Sequence, residues 1–172
     1  MSMTVIEHIE VGSGGTSGIV FDNIAGTYTD LVIKCSITTT RASISDWIFL
    51  KINDSTADQS GRILYGTGSG VASLSTLQLF VSGTDVTANT FANTEIYLPN
   101  YAGSNNKSFS ADSVYENNAT GATQTILAGL WSQTAAITKL EIYSANSATI
   151  EEFSSATLYG ITAGSDGTPT VS

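Results

Sequence analysis

Apolar and polar residues alternate with a period of two through most of the chain. From Tyr28 to Ile37, the residues Leu31, Ile33, Cys35 and Ile37 fall on one face, while Asp30, Lys34 and Ser36 fall on the other. That is the pattern of a half-buried strand, and it makes Cys35 a buried apolar residue. Asp46 to Asn53 sets Ile48, Leu50 and Ile52 against Trp47, Phe49 and Lys51, a strand with material to cover on both faces. The same reading predicts strands over Thr4–Val11, Gly18–Ile24, Arg62–Gly66, Thr76–Ser82, Thr94–Pro99, Lys107–Glu116, Thr125–Ser132, Ile137–Ser144 and Ala156–Thr162. Between them lie runs rich in Gly, Asn and Ser, such as Gly12 to Ser17, Asn53 to Asp58, Gly66 to Gly70, Asn100 to Asn106 and Asn117 to Gly121. Gly and Asn supply the positive-φ positions that tight connections need.

No window carries a sustained apolar stripe of helical period, and only Thr67–Ser75 and Thr84–Ala92 have room for a short helical turn. Many short strands at this spacing predict an all-β, single-domain, jelly-roll-like antiparallel β-sandwich over residues 1–163. Residues 164–172 read as a flexible C-terminal tail. The tripeptide Leu-Tyr-Gly occurs at Leu64 to Gly66 and again at Leu158 to Gly160, a match of common residues too short to imply a duplication.

Composition agrees with this pattern. The chain has 172 residues, of which 41% are hydrophobic and 12% charged. That is about half the usual charged share, and Ser, Thr, Gly, Asn and Ala make up the difference. Thr suits the wet side of a pleated sheet, whereas an exposed helix would favour Glu, Lys and Arg. Six basic against fifteen acidic residues give a formal net charge of −9, with no Lys/Arg cluster. Nucleic-acid binding, which needs a concentrated positive patch, is therefore not expected. No apolar run approaches the ~20 residues of a membrane-spanning helix. The start at Met1 lacks the basic and apolar regions of a signal peptide, so synthesis in a cytoplasm is expected. The sequons at Asn53, Asn106 and Asn118 then read as chance products of composition.

Candidate chemistry is sparse. His8 is the only histidine and stands near Glu7 and Glu10; alternation places Glu10 on its face and Glu7 opposite. Cys35 is the only cysteine, which leaves no intrachain disulfide and no cysteine-based zinc site. Neither glycine run ends in the Lys-Ser/Thr of a phosphate loop, and no Gly-x-Ser-x-Gly elbow precedes a helix. Asn53, Asp54 and Asp58 gather oxygen atoms in one loop, but without the glycine and terminal glutamate of an EF-hand they read as an Asx-rich turn. Glu151 and Glu152, read as neighbours on a strand, point to opposite faces and cannot serve one sugar together. Trp47, Trp131 and the tyrosines could form a stacking platform for a glycan, although core and interface roles absorb most aromatics of β proteins. The residues thus predict no enzyme, no catalytic, cofactor-binding or metal site, and no cofactor.

Four blocks carry a family resemblance. The run Ile24 to Lys34, Ile-Ala-Gly-Thr-Tyr-Thr-Asp-Leu-Val-Ile-Lys, resembles an Ile-Pro-x-Thr-Tyr-Thr-Asp-Leu-Val-Leu segment of tailed-phage structural proteins. Trp47 to Asp54 is similar to that family's Ile-Arg-Phe-Asn-Gly-Asp strand and loop. Gly61 to Ser69 resembles its Leu-Tyr-Gly-Asn-Gly-Ser block, and Thr149 to Ile161 its closing strand pair. The blocks follow the family's order from about Gly18 to Ile161; Ala25-Gly26 departs from its proline and Val86 to Gly121 does not align. The resemblance implies a jelly-roll-like sandwich in a virion, made in the bacterial host cytoplasm and usually oligomeric. It further implies a capsid decoration or cement protein that binds the major capsid protein or other virion proteins, with a homotrimer expected. The alternative within the family is a tail-fibre, spike or baseplate domain that binds a host surface glycan. Fold analogy alone does not choose between them.

Overall fold

The computed structural model describes residues 2–116 and 121–163. They form strands β1 (Ser2–Glu10), β2 (Gly18–Phe21), β3 (Asp30–Ile37), β4 (Ser45–Ile52), β5 (Gln59–Gly66) and β6 (Val71–Leu74). There follow β7 (Leu79–Ser82), β8 (Ala92–Pro99), β9 (Lys107–Glu116), β10 (Ala122–Trp131), β11 (Leu140–Ser144) and β12 (Ser155–Thr162). All pairings between these strands are antiparallel. Each predicted strand is present with its ends moved by a few residues. The expected flexible tail at 164–172 and the sequon at Asn118 lie outside the described residues.

An eight-stranded sheet in the order β1-β12-β3-β8-β9-β10-β5-β6 packs against a four-stranded sheet in the order β2-β11-β4-β7. Sequence-successive strands of the central framework switch sheets. β1, β3, β8 and β12 lie in the large sheet and β2, β4, β7 and β11 in the small one. The orders β1-β12-β3-β8 and β2-β11-β4-β7 are those of a jelly roll, in which folding a double-length hairpin over itself closes two four-stranded sheets. Two antiparallel hairpins, β5–β6 and β9–β10, are inserted into this framework, and both extend the large sheet beyond β8.

The core follows from alternation. Leu31, Ile33, Cys35 and Ile37 of β3, Ile96 and Leu98 of β8 and Leu158 of β12 face Ile48 and Ile52 of β4, Phe21 of β2 and Leu140 and Ile142 of β11. Most of these side chains are completely excluded from solvent, each contributing roughly 1.5–3 kcal/mol. Beyond the edge of the small sheet, the inner face of the β9–β10–β5 extension is covered by its own side chains and by the β6–β7 connection. The Phe109 ring lies over Gly129 and Leu77 lies over Gly61, two glycines paired across β10 and β5. Ser113 donates a 2.6 Å hydrogen bond to the Phe80 carbonyl of β7, which ties the edge of the small sheet to this extension.

Three expectations are corrected. Thr67–Ser75 holds no helical turn, because Val71–Leu74 pairs with β5 as an edge strand after a turn in which the Thr67 N–H meets the Gly70 carbonyl. Thr84–Ala92 is a loop of turns and bends, anchored by the Thr84 and Asp85 N–H groups to the Arg41 and Ser43 carbonyls. Glu151 and Glu152 are not strand residues: the chain turns there before β12, and the Ser154 N–H closes onto the Glu151 carbonyl at 3.1 Å. The two copies of Leu-Tyr-Gly have opposite facing, since Leu64 is half exposed on the outer side while Leu158 is buried in the core. They are unrelated in structure. Among the described residues no helix is long and apolar enough to cross a membrane.

Candidate functional site

The residues singled out for chemistry are mostly occupied by the fold itself. His8 lies on the edge strand β1, exposed, with its Nδ1 2.7 Å from the Thr157 hydroxyl of the neighbouring strand. Glu10 shares its face, as alternation requires, and pairs in register with Ser155. In the Asn53 loop, the Asn53 side-chain oxygen accepts from the Thr138 and Lys139 N–H groups at 2.9 and 3.1 Å. Asp54 pairs with Lys139 at 2.8 Å, and Asp58 accepts from Gln133 at 2.8 Å. Asn53, Asp54 and Asp58 all have positive φ, so this is an Asx-rich turn whose oxygens pin the 133–139 segment. Among the described residues no group of three or more His, Cys, Asp or Glu is arranged to hold a metal ion.

Most of the tryptophans and tyrosines have the packing roles expected of aromatics in a β protein. Trp131 is buried beside Lys107, whose ammonium lies 5.4 Å from the ring centroid. Tyr101 and Tyr115 are buried as well. Trp47 is half-buried on the small sheet, edge-on to Phe80 at 5.8 Å, with Arg41 over its ring. Phe49 stacks on Tyr143 at 5.9 Å, and Lys51 bridges Tyr143 and Glu141. These rings pack on one another and on their flanking cations, while the buried Trp47 Nε1–H has no hydrogen-bond partner among the described residues.

Two buried charges are structural. Asp46 is wholly buried and accepts from Thr39 at 2.9 Å, Ser144 at 2.7 Å and Asn146 at 2.6 Å, with Arg41 at 3.5 Å. Burial pushes its pKa up, but the hydrogen bonds from Ser144, Asn146, the Trp47 backbone and Thr39 outweigh that effect and hold it below the usual aspartate value. Lys107, almost fully buried, donates to the Ala135 and Gln133 carbonyls at 2.6 and 3.3 Å, and burial lowers its pKa. Cys35 lies in the core, and burial pushes its thiol up to about 12, which makes it inert as a nucleophile at neutral pH.

Two regions remain whose side chains the fold leaves unspent. The first is the outer face of the β9–β10–β5–β6 extension, over which no sheet packs among the described residues. Val114, Ile126, Leu64 and Val71 are 40%, 56%, 50% and 75% exposed there, on four adjacent strands. Ile126 and Leu64 are direct cross-strand neighbours, and Val114 and Val71 lie in the next row, opposite Gln124 and Gly66. The bounding strand β6, Val-Ala-Ser-Leu, is a free edge without a charge, bulge or proline to protect it. At the opposite edge β1 carries a bulge near Ile6 together with Glu7, His8 and Glu10.

The second region is a cleft of about 600 Å³ at the loop end of the sandwich, between the 83–91 loop and the 149–153 turn. Glu151, Glu152, Asn89, Thr149, Phe91 and Phe153 contribute to its walls. Phe153 is 68% exposed and sits at φ +67°. The Phe153 N–H to the Val11 carbonyl at 2.9 Å, the Val11 N–H to the Ser154 carbonyl at 2.8 Å and the buried Ser154 hydroxyl on Thr38 hold the turn in this shape. Gly15 closes the back, where a Cβ would stand 2.5 Å from the Ile150 carbonyl oxygen.

Sequence reasoning missed both regions. The outer patch does leave a trace, since Leu64, Val114 and Ile126 are apolar at positions that alternation assigns to solvent. The cleft leaves none, because its walls come from loops distant in sequence. No protein-family model, curated protein or solved structure matches the chain.

Proposed function

We propose that this chain is a non-enzymatic structural subunit of a tailed-phage virion, a capsid decoration or cement protein that binds the outside of the head and associates as a trimer. The observation that carries the reading is the uncovered corner of the large sheet. Apolar side chains on four adjacent strands, bounded by an unprotected edge, form the kind of surface that soluble monomers avoid and subunit interfaces use. The few charges at that corner, Asp112 and Arg62 on the outer face among them, allow packing against a largely uncharged surface. The ordered blocks from Ile24 to Ile161 supply the virion context. A cement protein binds the assembled shell better than its dissociated parts, so its binding free energy adds to particle stability by mass action.

The test compares particles with and without this protein. Decoration predicts that particles lacking it still form and adsorb to cells normally, yet lose their DNA at a lower temperature or after milder osmotic shock. Normal head stability with failed adsorption would transfer the protein to the tail. That second reading, a tail-fibre, spike or baseplate domain contacting a host glycan, is favoured by one observation, the loop-end cleft with its exposed Phe153.

A further inference from the structure

The loop-end cleft has the chemistry of a ligand site, and we infer that it binds the neutral pyranose end of a glycan. The inference does not rest on the assembly reading, because the cleft lies in the 83–91 and 149–153 loops, whereas the apolar corner is built by β5, β6, β9 and β10.

Its volume of about 600 Å³ falls in the range of small-molecule sites, which are commonly ~300–1,000 Å³. Its two carboxylates are not consumed by the fold. Asp46, Asn53 and Asp58 each hold a loop or strand in place, whereas the Glu151 and Glu152 carboxylates have neither an ion pair nor a hydrogen bond among the described residues. Carboxylate oxygens at a cleft wall accept hydroxyl protons through charge-assisted hydrogen bonds, and the Asn89 amide offers both a donor and an acceptor. Phe91 and Phe153 supply apolar faces of the kind that meets the C–H side of a sugar ring.

Phe153 also carries a backbone feature that its packing does not require. Positive φ is costly for a residue with a bulky side chain, and Gly or Asn would fill that turn position without strain. The surrounding hydrogen bonds maintain it, and the result is an aromatic ring held out at the mouth of the cleft. Strain of this sort clusters at binding sites because it is over-determined by the surrounding structure.

The sign of the charge narrows the ligand. Among the described residues the walls hold two carboxylates and no cationic side chain, which disfavours phosphate, sulfate and acidic sugars. A lysine side chain from a partner protein would suit the carboxylates but offers nothing to the Asn89 amide, whereas a hydroxylated ring can engage both.

The test uses the full chain, labelled with ¹⁵N, and follows backbone amide shifts during titration with D-glucose, D-galactose, N-acetyl-D-glucosamine, N-acetylneuraminic acid and N-acetyl-lysine methylamide. At least one neutral sugar is expected to give saturable shifts confined to residues 83–91 and 149–153, with half-saturation on the order of 1 mM. Glu152→Gln and Phe153→Ala should each weaken that binding about tenfold or more. Phe153→Gly relieves the strained φ, so it should melt no lower than the parent while binding as weakly as Phe153→Ala. Absence of localised shifts with every neutral sugar would overturn the inference, as would a response to N-acetyl-lysine methylamide alone. Unchanged sugar affinity in both Phe153 variants would do the same.

Discussion

The Phe109 ring on β9 covers Gly129, its cross-strand partner on β10, so closely that a Cβ at Gly129 would lie 2.3 Å from the ring's Cζ and 2.5 Å from Cε2. Gly129 in turn pairs with Gly61 on β5, where a Cβ would meet the Leu77 side chain at 2.4 Å. Glycine weakens a strand by leaving nothing to pack, and here a neighbouring side chain fills each gap. Gly129→Ala should therefore destabilise the protein, by about 1–3 kcal/mol, because the buried ring has to leave its place. Denaturant unfolding of Gly129→Ala, Phe109→Ala and the double variant tests this as a cycle. A coupling energy within about 0.5 kcal/mol of zero would show that the ring does not depend on the glycine.

Asp46 makes stability depend on acid. Its carboxyl titrates below the ordinary aspartate value of 3.8 in the native state, so the unfolded chain takes up this proton at a higher pH than the folded one. The stabilisation is fully present above that value and is lost as pH falls through the native pKa. Asp46→Asn removes the acid-dependent step and places an amide among the donors of Thr39, Ser144, Asn146 and Arg41, a mismatch expected to cost about 1–3 kcal/mol at neutral pH. Unfolding curves at pH 7 and pH 3 check both parts. A variant as stable as the parent at pH 7 would show that the network contributes nothing net.

The alternation that predicts β3 and β4 works because each is half-buried and short-range sterics fix which side chains share a face. It places Cys35 correctly and even signals the outer patch. It cannot report that Leu140 pairs with both Phe21 and Ile52, since those neighbours are set by long-range packing. The 149–153 turn defeated it for a different reason. Ile150 is buried like a strand residue and makes two isolated bridges, yet the following peptide groups bond to Thr38 and Val11 instead of continuing a ladder. A residue at positive φ such as Phe153 has no compositional mark when it is neither Gly nor Asn.

Cys35 couples stability to alkaline pH. Its thiol ionises near 9.0 when solvated and holds its proton to about 12 in the core, so the native state is penalised relative to the unfolded chain as pH rises above 9.0. Between those values stability should fall more steeply in the parent than in Cys35→Ala, by up to about 1.4 kcal/mol per pH unit. Thiol reagents should label the native protein only at the rate at which it opens. Rapid stoichiometric labelling without denaturant would place the sulfur outside the core.

Assembly through the open corner can be tested with one charge. Ile126 is 56% exposed and stands in register with Asp112 on one side and Leu64 on the other. Ile126→Lys puts an ammonium opposite Asp112, and a cross-strand pair of opposite charge offsets the lost strand propensity, so the isolated fold should keep its stability to within about 0.5 kcal/mol. Carried into an apolar interface, the ammonium and Asp112 must be desolvated together, a cost that their attraction does not repay, and the substitution opposes association. The parent chain is expected to scatter light as a trimer and to rebind particles that lack it, with only a modest dependence on salt because few ion pairs are available to be screened. Ile126→Lys should lose rebinding, trimer mass or both while melting like the parent. Leu64→Thr should weaken the same association by a smaller amount, since it shortens the apolar patch without charging it. If both variants keep the parent's mass and its occupancy on particles, the corner is solvent-facing in the virion and the contact must be sought at the β1 edge.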